Sequence, residues 1–238
     1  MTVSRRLVAT FAIVLFAYLG APVWASENEP RSATAEWERH EFAFGIAATR
    51  WSDLKDLEPQ PVDPIAVASG GFAETGFGFE IAYRYRLGGA APHWSVGGEF
   101  VGILHMNEDE LTTWNAATGE ASSIELMANW GQLTGGLRYS WRPDKTPEIV
   151  AGAGVGLYLL RIKESLEDFG VADRSESDST VGGYATAGLR FPIGKGRFGV
   201  RLDGRINFVS FDDFGETFAG QSLDGPVPSL VIGMDYRF

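Results

Sequence analysis

Residues 76–87 read Gly-Phe-Gly-Phe-Glu-Ile-Ala-Tyr-Arg-Tyr-Arg-Leu. Phe77, Phe79, Ile81, Tyr83, Tyr85 and Leu87 occupy every second position, and Gly76, Gly78, Glu80, Ala82, Arg84 and Arg86 fill the gaps. Successive side chains of a strand point to opposite faces, so this stretch is a strand with one wholly apolar face and one small or charged face. Its length matches the roughly 9–11 residues with which a tilted strand crosses a bilayer.

The same period of two recurs from Trp37 onward and makes eight segments in all. Phe42, Phe44, Ile46 and Ala48 carry it before the decisive stretch, and Trp94, Val96, Phe100 and Leu104 carry it after. Ile149, Ala151, Ala153, Val155, Leu157 and Leu159 alternate largely with glycines, and residues 181–191, 198–208 and 230–238 repeat the pattern. The fourth segment, 124–141, changes apolar parity near Trp130-Gly131, which predicts a β-bulge there. Short connections (88–93, 142–148, 192–197) alternate with long polar ones (52–75, 106–123, 163–179, 210–225). Prolines avoid the strand interiors, as residues without an N–H must.

The chain has 238 residues, a net charge of −11, 30 glycines, 13% aromatic residues and no cysteine. Disulfides, thiolate metal sites and Cys nucleophiles are thereby excluded. The acidic balance argues against a nucleic-acid partner, which needs clustered Lys and Arg. A mean hydropathy of −0.05 with one long apolar run excludes a polytopic helical membrane protein. That run, Leu7–Ala21, follows Arg5 and Arg6 and precedes Val23-Trp24-Ala25, the arrangement of a signal peptide (1–25) cleaved after Ala25. A polar leader (26–36) and the strand-rich region (37–238) follow.

A soluble barrel also alternates, but its charged face would meet water. Here the non-apolar face is dominated by Gly, Ala, Ser and Thr, suited to the crowded interior of a narrow barrel. Aromatics gather at the short-turn ends: Tyr85, Trp94, Tyr139, Trp141, Phe191, Phe198, Tyr236 and Phe238. Such a girdle suits a membrane interface. The fold class is therefore all-β: an eight-stranded antiparallel transmembrane barrel with short periplasmic turns and four long extracellular loops.

The last strand ends flush with the chain in Val231-Ile232-Gly233-Met234-Asp235-Tyr236-Arg237-Phe238. It resembles the C-terminal assembly signal of outer-membrane barrels, with Gly233, Tyr236 and Phe238 at its key positions and Val231 departing from the usual polar residue. The whole region resembles small outer-membrane barrels of the OmpA-domain, OmpX or opacity-protein type. The resemblance implies residence in the bacterial outer membrane, contact with outer-membrane lipid and lipopolysaccharide, handling by the barrel assembly machinery and a monomeric state. It implies no particular activity, because one fold hosts many functions.

Catalytic patterns are sparse, and no cofactor is implied. His93-Trp94-Ser95 spells the His-x-Ser pair of barrel deacylases, but it lies at a short turn and hence on the wrong side of the membrane for an outer-leaflet lipid. His105 stands at the outer end of its strand, where a loop carboxylate could reach it. The inward charges say more: Glu80, Arg84, Arg86, Glu99, Arg138, Arg190, Arg201, Asp203, Arg205, Asp235 and Arg237 share the small-residue face. Unpaired charge in a narrow lumen is costly, so these residues are expected to form cross-strand ion pairs. Arg86, Arg138, Arg190 and Arg237 lie near the short turns and predict a basic ring at the periplasmic mouth. Acids crowd the long loops (Glu108, Asp109, Glu110; Glu164, Glu167, Asp168, Asp173, Glu176, Asp178; Asp212, Asp213, Glu216) without the spacing of a calcium loop. Trp114, Phe169, Phe214 and Phe218 stand among them, as in adhesive loops or in loops packed on themselves. The reading is a non-enzymatic barrel serving envelope structure and surface interaction. Its alternative is a small-solute or ion channel, and a third possibility is a lipid-modifying enzyme.

Overall fold

The structure is a computed structural model that describes residues 39–56, 65–69, 74–88, 94–115, 118–119, 121–142, 147–165, 173–193, 197–211 and 222–238. The segments expected to be signal peptide (1–25) and leader (26–36) lie outside the described residues. Eleven strands follow in chain order: β1 (His40–Arg50), β2 (Ile65–Ser69), β3 (Thr75–Gly88), β4 (Trp94–Asn115), β5 (Ala121–Trp141), β6 (Glu148–Ser165), β7 (Arg174–Ile193), β8 (Phe198–Phe208), β9 (Ser210–Phe211), β10 (Leu223–Asp224) and β11 (Val227–Arg237). A 3-10 turn, Ser52–Asp56, follows β1.

Eight of these strands close into a barrel. β1 pairs antiparallel with β3 and β11, the ladder runs on through β8, β7, β6 and β5, and β5 returns to β4, which pairs with β3. Closure leaves the wall no free edge, the condition for backbone polar groups to enter lipid. The seam runs to the last residue: Phe238 N–H donates to His40 O at 2.9 Å and His40 N–H to Phe238 O at 3.2 Å.

Alternation places the faces as the period of two predicts. Phe77, Phe79 and Ile81 are 64%, 51% and 54% exposed, whereas Gly78, Glu80 and Ala82, which alternate with them, are buried. Thirty large apolar side chains are exposed on the described wall. A surface of that size far exceeds what water tolerates on a soluble monomer and suits an acyl-chain environment. At the short-turn end Tyr139, Trp141, Phe191, Phe198, Tyr236 and Phe238 are all exposed on the outer face.

Two expectations are corrected. The wall has no bulge at Trp130-Gly131, because β5 keeps unbroken register with β4 from Ala121 to Trp141 and with β6 from Glu125 to Trp141. Ile124, Leu126, Ala128 and Trp130 point inward like Gln132 and Thr134 below them. The lumen turns apolar at that height while strand parity continues. The register shifts occur instead between Arg86 and Gly88, and between Val67 and Ser69. Secondly, much of the long connections 106–123 and 163–179 is strand: β4 reaches Asn115 before β5 begins at Ala121, and β6 reaches Ser165 before β7 begins at Arg174. Cross-strand hydrogen bonding continues beyond the membrane. The contrast between apolar outside and small inside, which advertised the strands, does not.

Candidate functional site

The inner face of the wall holds layers of different chemistry. At the short-turn end, Arg237 donates to Glu41 and to Glu148, each at 2.9 Å. Arg190 Nε donates to Asp235 at 2.6 Å, and Arg86 stands 3.5 Å from Glu148. One level in, Arg84 lies among four carboxylates: Glu41 at 2.9 Å, Glu99 at 3.2 Å, Glu80 at 3.6 Å and Asp203 at 4.0 Å. Arg138 reaches Glu99 at 3.3 Å and Asp203 at 3.7 Å, while Arg201 bridges Asp203 and Glu80. Glu99 is the hub, because its second oxygen also accepts from the Tyr184 hydroxyl at 2.8 Å.

Glycines make room for these long side chains. A Cβ on Gly199 would come within 2.7 to 2.8 Å of the Arg190 guanidinium, and one on Gly154 within 2.7 Å of the Tyr184 ring. One on Gly152 would sit 3.2 Å from Glu99 Oε1. The small residues are thus counterparts to the large ones on neighbouring strands, the pairing of small and large that a narrow barrel needs.

Above the charges lies a mostly neutral polar layer. Arg205 stacks 3.7 Å over the Tyr184 ring and donates to Thr134 at 2.7 Å and to Asn207 at 3.0 Å. Thr49 Oγ1 lies 2.9 Å from His105 Nδ1 and 3.0 Å from Ser229 Oγ. Higher still an apolar cluster forms from Trp51, Leu54, Ile124, Leu126, Ala128, Trp130, Tyr158, Leu160, Ile162, Val209, Phe211, Leu223 and Val227. Trp130 is at its centre, stacked on His105 and Tyr158 at 5.0 and 5.8 Å and edge-on to Trp51 at 5.6 Å. Ion pairs bind the outer rim: Arg50 with Glu74 at 2.8 Å, Lys163 with Asp173 at 2.7 Å, and Arg174 with Glu164. Burial pushes the Glu164 carboxyl above its ordinary range, and Arg174 draws it back.

All eleven charges named from the sequence lie on the inner face, and ten of them join one ion-pair network with Glu41 and Glu148, two acids not among the eleven, whereas Arg205 makes no ion pair among the described residues and holds hydroxyl, amide and ring partners instead. These two correct the basic ring. Arg86, Arg190 and Arg237 share Glu148, Arg237 also holds Glu41, Arg190 holds Asp235, and Arg138 looks inward to Glu99, so the mouth is a mixed-sign network. Both missed acids were legible by parity. Glu41 is one residue before Phe42, and Glu148, at the end of the short connection 142–148, precedes Ile149. His105 meets a hydroxyl and an aromatic ring instead of a loop carboxylate. His93 and the loop residues Glu167, Asp168, Phe169, Asp212, Asp213, Phe214, Glu216 and Phe218 lie outside the described residues, as do the side chains of Trp94, Ser95, Glu108, Asp109, Glu110 and Trp114. Of the terminal motif, Tyr236 and Phe238 face outward with rings 6.0 Å apart. Gly233 packs so closely on β1 that a Cβ would lie 2.9 Å from Gly45 Cα.

A family model for an outer membrane protein beta-barrel domain matches residues 11–238. The chain belongs to that family. Membership places the barrel in the bacterial outer membrane. Similar solved structures include Ail of Yersinia pestis in complex with the heparin analogue sucrose octasulfate, at 15% identity over 84% of this chain and 99% of that one, TM-score 0.47. OprG of Pseudomonas aeruginosa is 11% identical over 84% and 96%, TM-score 0.48. The protease OmpT of Escherichia coli is 7% identical over 85% and 97%, TM-score 0.42. No curated protein sequence matches the chain significantly.

Proposed function

We propose that this barrel is a non-enzymatic, monomeric envelope protein that strengthens the outer membrane and presents a surface for interaction, and that it conducts no solute. The observation that carries this reading is the stacked filling of the lumen by ion pairs, polar side chains and an apolar cluster. At the periplasmic mouth the cavity among Arg39, Glu41, Arg84, Arg86 and Arg138 has a volume of only about 30 Å³. Purified protein in planar bilayers is therefore expected to give little or no steady conductance. A stable, single-valued conductance would replace this reading with the channel alternative.

The same proposal includes cleavage after Ala25, contact with lipid and lipopolysaccharide, and insertion by the barrel assembly machinery through Gly233, Tyr236 and Phe238. Deleting Phe238 removes the ring stacked on His40 at 5.6 Å and both seam hydrogen bonds to His40. Cells expressing the truncated chain should accumulate far less heat-modifiable barrel in the outer membrane. Unchanged yield and gel mobility would count against the role of this terminus.

A further inference from the structure

The outer wall of β4 to β7 changes polarity over a few rows of cross-strand neighbours. The lowest row is apolar: Gly102, Leu133, Leu157 and Val181. The next is Leu104, Gly131, Leu159 and Ser179, and above it come Met106, Asn129, Arg161 and Ser177. Leu104 and Leu159 stand out from the wall, 54% and 52% exposed, with only Gly131 between them. The result is an outward-facing groove of about 490 Å³ whose lining includes these residues with Asn129, Arg161 and Ser177.

Arg161 is exposed at the upper end of this groove and has no ion pair among the described residues. Its neighbours are engaged: Lys163 holds Asp173 at 2.7 Å, and the Asp178 carboxylate accepts from the Ser179 N–H at 2.6 Å. In a chain of net charge −11, an uncommitted guanidinium where the apolar band ends is an anchor for an anionic headgroup, and the slot below it is open to an acyl chain.

We propose that this groove holds one phosphorylated glycolipid of the outer leaflet, with its phosphate on Arg161, polar headgroup atoms against Asn129 and Ser177, and an acyl chain over Gly131 between Leu104 and Leu159. The proposal rests on the outer-membrane placement. No covalent step is involved. The site supplies residence for a particular lipid, and the lipid in turn covers a stretch of wall that the side chains leave hollow.

The test uses the full-length mature protein refolded in micelles and titrated with bisphosphorylated lipid A, with retained lipid read by native mass spectrometry. Arg161→Gln should weaken retention about tenfold, as expected for losing one charge-assisted contact. Gly131→Leu should weaken it at least as much by filling the slot. A Cβ at Gly131 meets nothing closer than 3.8 Å, so the barrel should fold unchanged, and Phe44→Leu on another strand should bind as the unmodified protein does. Equal retention by all three variants, or equal binding of dephosphorylated lipid A or phosphatidylcholine, overturns the groove assignment. Failure of the unmodified protein to insert into vesicles of any composition overturns the membrane placement itself, and with it the proposal.

Discussion

Replacing Glu99 by Gln should destabilise the barrel by about 3 to 5 kcal/mol, the cost typical of removing one partner from a buried charge cluster. Glu99 accepts from Arg84, Arg138 and Tyr184 at 3.2, 3.3 and 2.8 Å. The amide is nearly isosteric, so the loss would come from charge. Two guanidinium groups inside a narrow lumen would lose a common counter-ion, with water unable to take its place. The measurement is the urea midpoint of protein refolded into lipid vesicles. Adding Arg138→Gln should recover part of the loss by removing one of the two cations that shared Glu99. A Glu99→Gln midpoint within about 1 kcal/mol of the unmodified protein, the range of a surface pair, would mean that the cluster is hydrated and the lumen wetter than its burial implies.

That cluster was partly legible because lipid and lumen demand opposite residues. Where strands cross the bilayer, Phe77, Phe79 and Ile81 can only be outside, and Glu80, Arg84 and Arg86 can only be inside. Reading parity therefore assigned eleven charges to one face without any structure. What parity cannot supply is partnership across the barrel. Arg201 finds Glu80 and Arg237 finds Glu148 across 121 and 89 residues of sequence, a pairing that depends on the stagger between strands and on which wall is glycine. Tyr184 illustrates the same limit. It reads as an isolated inward aromatic, and becomes a ligand of Glu99 and a platform for Arg205 only because Gly136 and Gly154 leave room for its ring.

Outside the membrane the same logic misleads. Water lies on the outer face there, so the apolar residues belong inside, and the polarity of the two faces inverts while the strand continues straight. Read with a single rule, apolar means outward, the inversion at Trp130-Gly131 looks like a bulge. Read with the solvent on each side in mind, it marks the height at which β5 leaves the lipid. Ile124, Leu126 and Ala128 then form the core of a small water-facing barrel built on top of the membrane-spanning one.

Trp130→Ala tests that second core. The ring is 3% exposed and packs on His105, Tyr158 and Trp51, so its removal should cost about 3 to 5 kcal/mol in transfer energy and cavity. Trp130→Phe should cost clearly less than Trp130→Ala, because it keeps an aromatic ring in the cluster and the indole N–H it gives up has no hydrogen-bond partner among the described residues. The contrast matters because a catalytic or gating Trp would be expected to need its N–H, whereas a packing Trp needs only its volume. Neither variant should conduct in planar bilayers, since the ion-paired layers nearer the periplasm remain intact. A steady current from Trp130→Ala would show that the apolar cluster, and not the charge network, is what seals the barrel, and the plugging role assigned to Glu99 and its arginines would have to move up to the aromatic layer.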